Sequence, residues 1–167
     1  MDEQMIKPNP ELRKMARNQL KGKWGTAILL HLVYLGITYL PNFLPLPATY
    51  IINLLIGGPL TLGLAACFIN IVRNKPLRFE KLFDGFSNFG TAFLTYLLKF
   101  IFIILWSLLF IIPGIIATLR YSMVYYILND NPDMSALDTI KASKNMMKGY
   151  KGKLFMLYLS FLGWGLL

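Results

Sequence analysis

The chain has 167 residues, a formal net charge of +9 and a hydrophobic content of 56%, which is more than a soluble core of this size needs. A basic chain could bind nucleic acid, but here the aromatic residues lie inside apolar runs rather than among the basic residues, which excludes a typical nucleic-acid interface. The single cysteine, Cys67, excludes an intrachain disulfide and a CxxC site. We expect no cofactor and no metal.

The charged residues are confined to three short segments, residues 1–23, 73–88 and 129–153, and only Lys99 and Arg120 lie outside them. Long apolar stretches separate the three segments. This distribution is typical of a membrane protein whose basic loops all lie on one side. It predicts a multi-pass protein of the plasma membrane with a cytoplasmic N-terminus.

The apolar stretches predict membrane-spanning helices, each of which needs roughly 20 residues. The first is Trp24–Leu40, followed by an outer loop at 41–49, and the second is Tyr50–Val72. The next stretch, Gly90–Leu128, is too long for one span. A further apolar run begins at Leu154 and is still in progress at the last residue, so we expect the natural protein to continue.

The stretch from Gly90 to Leu128 allows two interpretations. Pro113-Gly114 is a turn-forming pair and predicts a helical hairpin with its turn at that point. The rival interpretation is one kinked helix over Phe100–Leu119. The hairpin places all three basic segments on the same side of the membrane, and the positive-inside bias therefore favours it.

The sequence also contains a repeated pattern. KMARNQLKGKWG, which starts at Lys14, is similar to KASKNMMKGYKG, which starts at Lys141, and Gly22 recurs as Gly149. A weaker middle copy aligns WGTA, from Trp24, with FGTA, from Phe89. We interpret residues 1–167 as one membrane domain made of two repeats, at about 8–73 and 76–129, and a partial third, at about 133–167. Each unit would hold an amphipathic surface helix and a two-span hairpin.

The predicted surface helices have one apolar and one basic face. In the last copy Ser135 and Asp138 have the spacing of a capping box, and Gly149 suits the C-terminal end. Leu137, Ile140 and Met147 form the apolar face, with Ala136 and Ser143 beside it. The helix could lie in the headgroup boundary, pack on the cytoplasmic ends of the bundle, or do both. The candidate contacts to anionic lipid on the two surface helices are Arg13, Arg17, Lys21, Lys141, Lys144 and Lys148.

Lys99 and Arg120 are further candidate contacts to lipid or another anion, because charges within a membrane are costly and often functional. No predicted span contains an acidic residue that could neutralise them. We expect Arg120 to face the bundle interior, with Tyr121, Tyr125 or backbone carbonyls as partners. We expect Lys99 to extend toward the cytoplasmic interface, and either side chain could instead reach an interface by snorkelling.

The sequence contains few residues and motifs that are typical of enzymes. His31 is the only histidine and a zinc site needs three or four ligands, so a buried hydrogen-bonding role is the simpler interpretation. There is no GxSxG, HExxH or Walker motif. Glu80 and Asp84 are one helical turn apart, a spacing as typical of a solvated face as of an acid–base pair. We therefore expect no enzymatic activity.

Several stretches of the chain resemble a family of bacterial membrane proteins called domain of unknown function 975. They are GGPLTLG from Gly57, LFDGF from Leu82, IIPGI from Ile111 and the long stretch SMVYYILNDNPDMSALDTIKASKNMMKGYKGKLF from Ser122. The resemblance implies an all-α, polytopic transmembrane bundle in the bacterial inner membrane, and it implies no reaction. Family members continue past Gly163 into a further span, so the resemblance implies that this sequence stops before the last one.

Three classes of function follow from these observations. The first is a non-enzymatic bundle associated with the phospholipid bilayer through anionic headgroups, with other membrane proteins, or with further copies of itself. The second is a small transporter or channel, for which repeats and Gly/Pro-interrupted helices are typical. The third is a membrane enzyme acting on lipid.

Overall fold

The computed structural model describes residues 7–43, 49–76 and 78–165, and within these ranges the chain is almost entirely helical. Two 3-10 helices, Leu40–Phe43 and Phe79–Phe86, accompany the α-helices, and we call the second one the phenylalanine segment. The α-helices are α1 Asn9–Leu20, α2 Trp24–Tyr39, α3 Thr49–Val72, α4 Phe89–Leu109, α5 Ile111–Arg120, α6 Val124–Asp130, α7 Ala136–Met146 and α8 Lys151–Gly165. Residues 44–48 of the predicted outer loop and the final two residues of the last apolar run lie outside the described ranges.

Four helical stretches are long and apolar enough to cross a membrane: Trp24–Phe43, Ile51–Val72, Phe89–Leu109 and Ile111–Asp130. The last apolar run is also helical, as α8, with 15 residues in the described part of the chain. The prediction of an all-α helical bundle with several apolar spans is therefore confirmed. The division into repeats stays a prediction.

The apolar stretch after Gly90 is a hairpin of two helices, and the interpretation as one kinked helix is wrong. The backbone of Phe110 is extended and separates α4 from α5. Gly114 then lies directly against Ser107 on the opposite arm. The predicted turn at Pro113-Gly114 is displaced, because the chain reverses three residues earlier. Pro113 fits in the first turn of α5, where a missing N–H leaves no helical bond unmade.

The phenylalanine segment packs against α3 around Pro59 and Gly63. The backbone of Leu82 contacts α3 at Gly63, and the backbone of Pro59 contacts the segment at Gly85. Such close backbone contact requires residues without a side chain at both positions. Leu82 is fully buried between α2 and α3, in a cluster with Leu30, Leu60 and Cys67. The segment is therefore part of the core rather than a loose connection.

Helix α7 packs on the bundle largely through the predicted face. Ile140, Met147 and Ser143 are buried as expected, and Thr139 is buried as well, whereas Leu137, expected on the apolar face, is 50% exposed. Ile140 packs against Ala117 and its neighbours on α5 and α6. The small polar residues can be buried because their hydroxyls have partners. Thr139 donates to the Ser135 carbonyl over 2.8 Å and Ser143 donates to the Arg120 carbonyl over 3.0 Å.

Candidate functional site

Polar contacts bring the charged segments together at one end of the bundle. Lys23 donates a hydrogen bond to Asn74 over 3.4 Å, which joins the first segment to the second. Arg73 Nη2 donates to both carboxylate oxygens of Asp130, over 2.8 and 2.9 Å, which joins the second segment to the third. The Arg73–Asp130 pair is about half exposed, so it adds little stability but does fix the register of α3 against α6.

Further contacts at the two ends of the bundle agree with this arrangement. The Asn88 side chain donates to the carbonyl of Pro132, again joining the second and third charged segments. At the opposite end Asn53 donates to Asn42 over 2.9 Å. The described residues of that end, around Asn42 and around the turn at Phe110, carry no charge.

The predicted lipid contacts on α1 and α7 are mostly exposed. Arg13 is half-buried, while Arg17 and Lys21 are exposed. Lys141, Lys144 and Lys148 are exposed on α7. Lys141 pairs with Asp138 over 3.3 Å, in a contact between two largely exposed side chains. The basic face of α7 therefore remains open to an anionic surface.

The start of α7 is fixed by Ser135, and the predicted N-cap at this residue is confirmed. The Ser135 hydroxyl accepts a hydrogen bond from the Asp138 backbone N–H over 3.2 Å and donates to its carboxylate over 2.7 Å. The Ser135 hydroxyl, and then Lys141, hold the pKa of Asp138 below its ordinary value. Asp138 therefore stays ionised at neutral pH, at the end of the helix where negative charge is favourable.

Helices α1 and α7 are each followed by a glycine in a left-handed conformation. Gly22 has φ +77° and Gly149 has φ +79°, a left-handed conformation that residues with a side chain rarely adopt. These are the two positions that the sequence repeat pairs, and helices α2 and α8 begin two residues after them. Each glycine therefore lets the chain turn between two successive helices.

Lys99 and Arg120 each lie over an aromatic ring. The Lys99 ammonium lies 4.7 Å from the centroid of the Tyr125 ring, and its predicted reach toward the cytoplasmic interface stays a prediction. The Arg120 guanidinium lies 5.6 Å from the ring of Trp106, not beside Tyr121 or Tyr125. Side chains on a helix lean toward its N-terminus, so Arg120 leans toward the turn and meets Trp106 on the other arm. Each contact is a cation–π interaction that stabilises the charged side chain.

His31 does not occupy the buried site expected of it. It is exposed on α2, where its ring stacks on Tyr34 with 5.9 Å between centroids. Among the described residues, His, Cys, Asp and Glu side chains form no group of three that could hold a metal ion. Glu80 and Asp84 are both exposed and engage Arg78 and Lys81 respectively.

The structure contains a cavity that the sequence did not predict. About 470 Å³ of space lies between the start of α1, the end of α7 and the first turns of α8. Leu12, Met123, Met147 and Leu157 are among its apolar lining residues, and two lysines, Lys7 and Lys153, also line it. These residues come from four separate parts of the chain, so no local pattern brings them together.

Comparison with known proteins gives one match. A family model described as a protein of unknown function, DUF975, matches residues 1–117 and 108–167, which together cover the chain. No curated protein and no solved structure matches the sequence.

Proposed function

The chain belongs to the DUF975 family of proteins of unknown function, and from that premise we propose a non-enzymatic membrane protein that binds anionic phospholipid. It crosses the bacterial plasma membrane several times, with its charged end in the cytoplasm. The basic faces of α1 and α7 hold lipid headgroups at that surface. The same surface is available to other membrane proteins.

The observation that carries this proposal is the meeting of the three charged segments at one end of the bundle, through Lys23–Asn74 and Arg73–Asp130. Loops rich in Lys and Arg are retained on the cytoplasmic side during insertion. The inner leaflet of the membrane is anionic and attracts each nearby basic residue by about 1 kcal/mol. A cluster of exposed lysines on α7 therefore supports lipid binding without any further chemistry.

The orientation is testable with single cysteines at opposite ends of the bundle. Asn42→Cys and Lys144→Cys should react with a membrane-impermeant thiol reagent from opposite sides in intact cells, Asn42→Cys from outside. The native Cys67 is fully buried and should give little background. Labelling of both cysteines from the same side would contradict the hairpin topology.

Lipid selectivity is testable by neutralising the basic face of α7. The protein is reconstituted in equal amounts of phosphatidylglycerol and phosphatidylcholine, extracted, and its retained lipids are measured by mass spectrometry. We expect the wild type to enrich phosphatidylglycerol and the triple variant Lys141→Gln, Lys144→Gln, Lys148→Gln to lose most of the enrichment. Because each charge contributes about 1 kcal/mol, the three lysines together can change the enrichment by roughly 100-fold at most.

The matched control for that experiment keeps the charge and changes the side chains. Replacing the same three lysines with arginine should leave the enrichment of phosphatidylglycerol intact, because headgroup attraction depends on charge. A wild type whose retained lipids match the bulk composition would overturn the proposal.

A second candidate is a small transporter, which one feature of the fourth span favours. This span is interrupted at residues 121–123, between α5 and α6, immediately after Arg120. Interrupted membrane helices often form the substrate site of transporters. Solute flux into liposomes containing the purified protein would favour this candidate, and lipid turnover in the same vesicles would instead indicate an enzyme.

A further inference from the structure

We propose that the cavity between α1, α7 and α8 is a site for one anionic phospholipid, with an acyl chain inside and the phosphate at Lys7 and Lys153. This inference rests on the proposed function, since it names the site at which one lipid is held more tightly than the rest. The lipid is expected to enter from the cytoplasmic leaflet.

The inside of the cavity suits an acyl chain. Leu12 from α1, Met123 from the start of α6, Met147 from the end of α7 and Leu157 from α8 line it. Methionine is flexible and polarisable, so this wall can adapt to a chain of variable shape. The volume of about 470 Å³ lies within the range of small-molecule sites.

The charge at the cavity suits a phosphate. Lys7 and Lys153 are the charged residues of its described lining, and no acidic side chain is among that lining. Lys7 pairs with Glu11 over 2.7 Å, but both side chains are nearly half exposed. Such exposed ion pairs contribute little to stability, so a phosphate can compete with Glu11 for Lys7. The Lys153 ammonium lies 6.0 Å from the Tyr150 ring, which partly orients it.

Helix α8 contributes one residue to the proposed phosphate site and one to the proposed acyl-chain site. Lys153 lies in the first turn of that helix, and Leu157 lies four residues further, about 6 Å along the helix axis. Residues four apart share a face of a helix, so both can contact one ligand. A headgroup at the charged end and a chain running along α8 therefore match the direction of a lipid in the inner leaflet.

Filling the cavity tests the acyl-chain site. Leu157→Trp places a larger ring in the cavity, whereas Leu159→Trp makes the same change at an exposed position on α8 outside the lining. Native mass spectrometry of the full chain, delipidated stepwise from mixed phosphatidylglycerol and phosphatidylcholine, counts the lipids that remain. We expect the wild type and Leu159→Trp to keep one phosphatidylglycerol, and Leu157→Trp to lose it at least tenfold more readily.

Neutralising Lys7 and Lys153 tests the headgroup site. This test remains informative even if Leu157→Trp fails to fold. The double variant Lys7→Gln, Lys153→Gln should lower the preference for phosphatidylglycerol over phosphatidylcholine in the retained lipid by about tenfold. A control double variant, Lys75→Gln with Arg78→Gln, also removes two positive charges, but from exposed positions outside the cavity. It should leave the preference for phosphatidylglycerol unchanged. Equal losses in the two double variants would overturn the assignment of the phosphate to Lys7 and Lys153.

The remaining outcomes separate this inference from the proposed function. If the wild type enriches phosphatidylglycerol but Leu157→Trp and Leu159→Trp retain it equally, the cavity site is wrong and the lipid-binding function stands. If the wild type shows no enrichment, both are wrong. A photoreactive residue at position 123 should crosslink to lipid, and crosslinking only to protein would show that another polypeptide fills the cavity and would overturn the inference.

Discussion

Replacing Gly63 with alanine is expected to lower the melting temperature of the protein by about 4–8 °C. The added methyl group would overlap the carbonyl of Leu82 and would lie 3.0 Å from its Cα, so the phenylalanine segment must move away from α3. Overpacking of this kind costs up to about 3 kcal/mol, and the better helix propensity of alanine returns only about 1 kcal/mol. In a protein of this size, a net loss of about 2 kcal/mol in the free energy of unfolding lowers the melting temperature by the stated amount.

Glycines in open positions provide the control for this prediction. An added methyl at Gly25 or Gly152 would meet nothing within 4 Å, and both residues lie within helices. Their replacement by alanine should leave the melting temperature unchanged or raise it slightly. Gly85→Ala, which tests the same contact from the other side against Pro59, should resemble Gly63→Ala. Equal melting temperatures for Gly63→Ala and Gly25→Ala would contradict the docking of the phenylalanine segment.

The second large effect is expected where the hairpin of α4 and α5 closes. A Cβ at Gly114 would overlap the hydroxyl of Ser107 and lie 3.1 Å from its Cα and Cβ. Gly114→Val would therefore force the two arms apart at a cost of about 3 kcal/mol. Gly36→Val is the matched control, because an added Cβ at Gly36 in α2 meets nothing within 4 Å. We expect thermal unfolding in detergent to show a much larger loss for Gly114→Val.

A double-mutant cycle tests whether that loss arises from Ser107. Ser107→Gly removes the hydroxyl and the Cβ that a valine at position 114 would meet. In this background Gly114→Val should cost about 1–2 kcal/mol less than it does alone, which is the coupling expected for residues in direct contact. Additive losses would show that the two arms do not meet at these residues.

The sequence predicted the spans because apolar length and charge placement are strong local signals. Trp24, predicted as the start of the first span, is the first residue of α2, and Val72, predicted as the end of the second, is the last residue of α3. The N-cap at Ser135 was also predictable, since a capping box involves residues only three apart. The turn of the hairpin was misplaced by three residues because Pro113 is tolerated within the first turn of a helix as well as in a turn.

The site was only partly predictable because its contacts depend on packing between distant residues. The basic residues of α1 and α7 could be named from the sequence, but the meeting of the three charged segments depends on contacts such as Arg73–Asp130. The buried face of α7 was predicted except for Leu137, which is exposed, and Thr139, whose burial is inexpensive because its hydroxyl donates to the Ser135 carbonyl. The cavity arises from the packing of α1 beside α8, and no sequence pattern encodes that placement.

The lipids that remain on the protein after extraction from its native membrane test the central claim most directly. Mass spectrometry of these lipids measures the ratio of anionic to zwitterionic phospholipid on the protein, for comparison with the ratio in the membrane of origin. We predict that the lipids retained by the wild type are several-fold richer in anionic phospholipid, and that neutralising Lys141, Lys144 and Lys148 removes most of the excess. A ratio equal to that of the membrane, unchanged in the neutralised variant, would contradict the account.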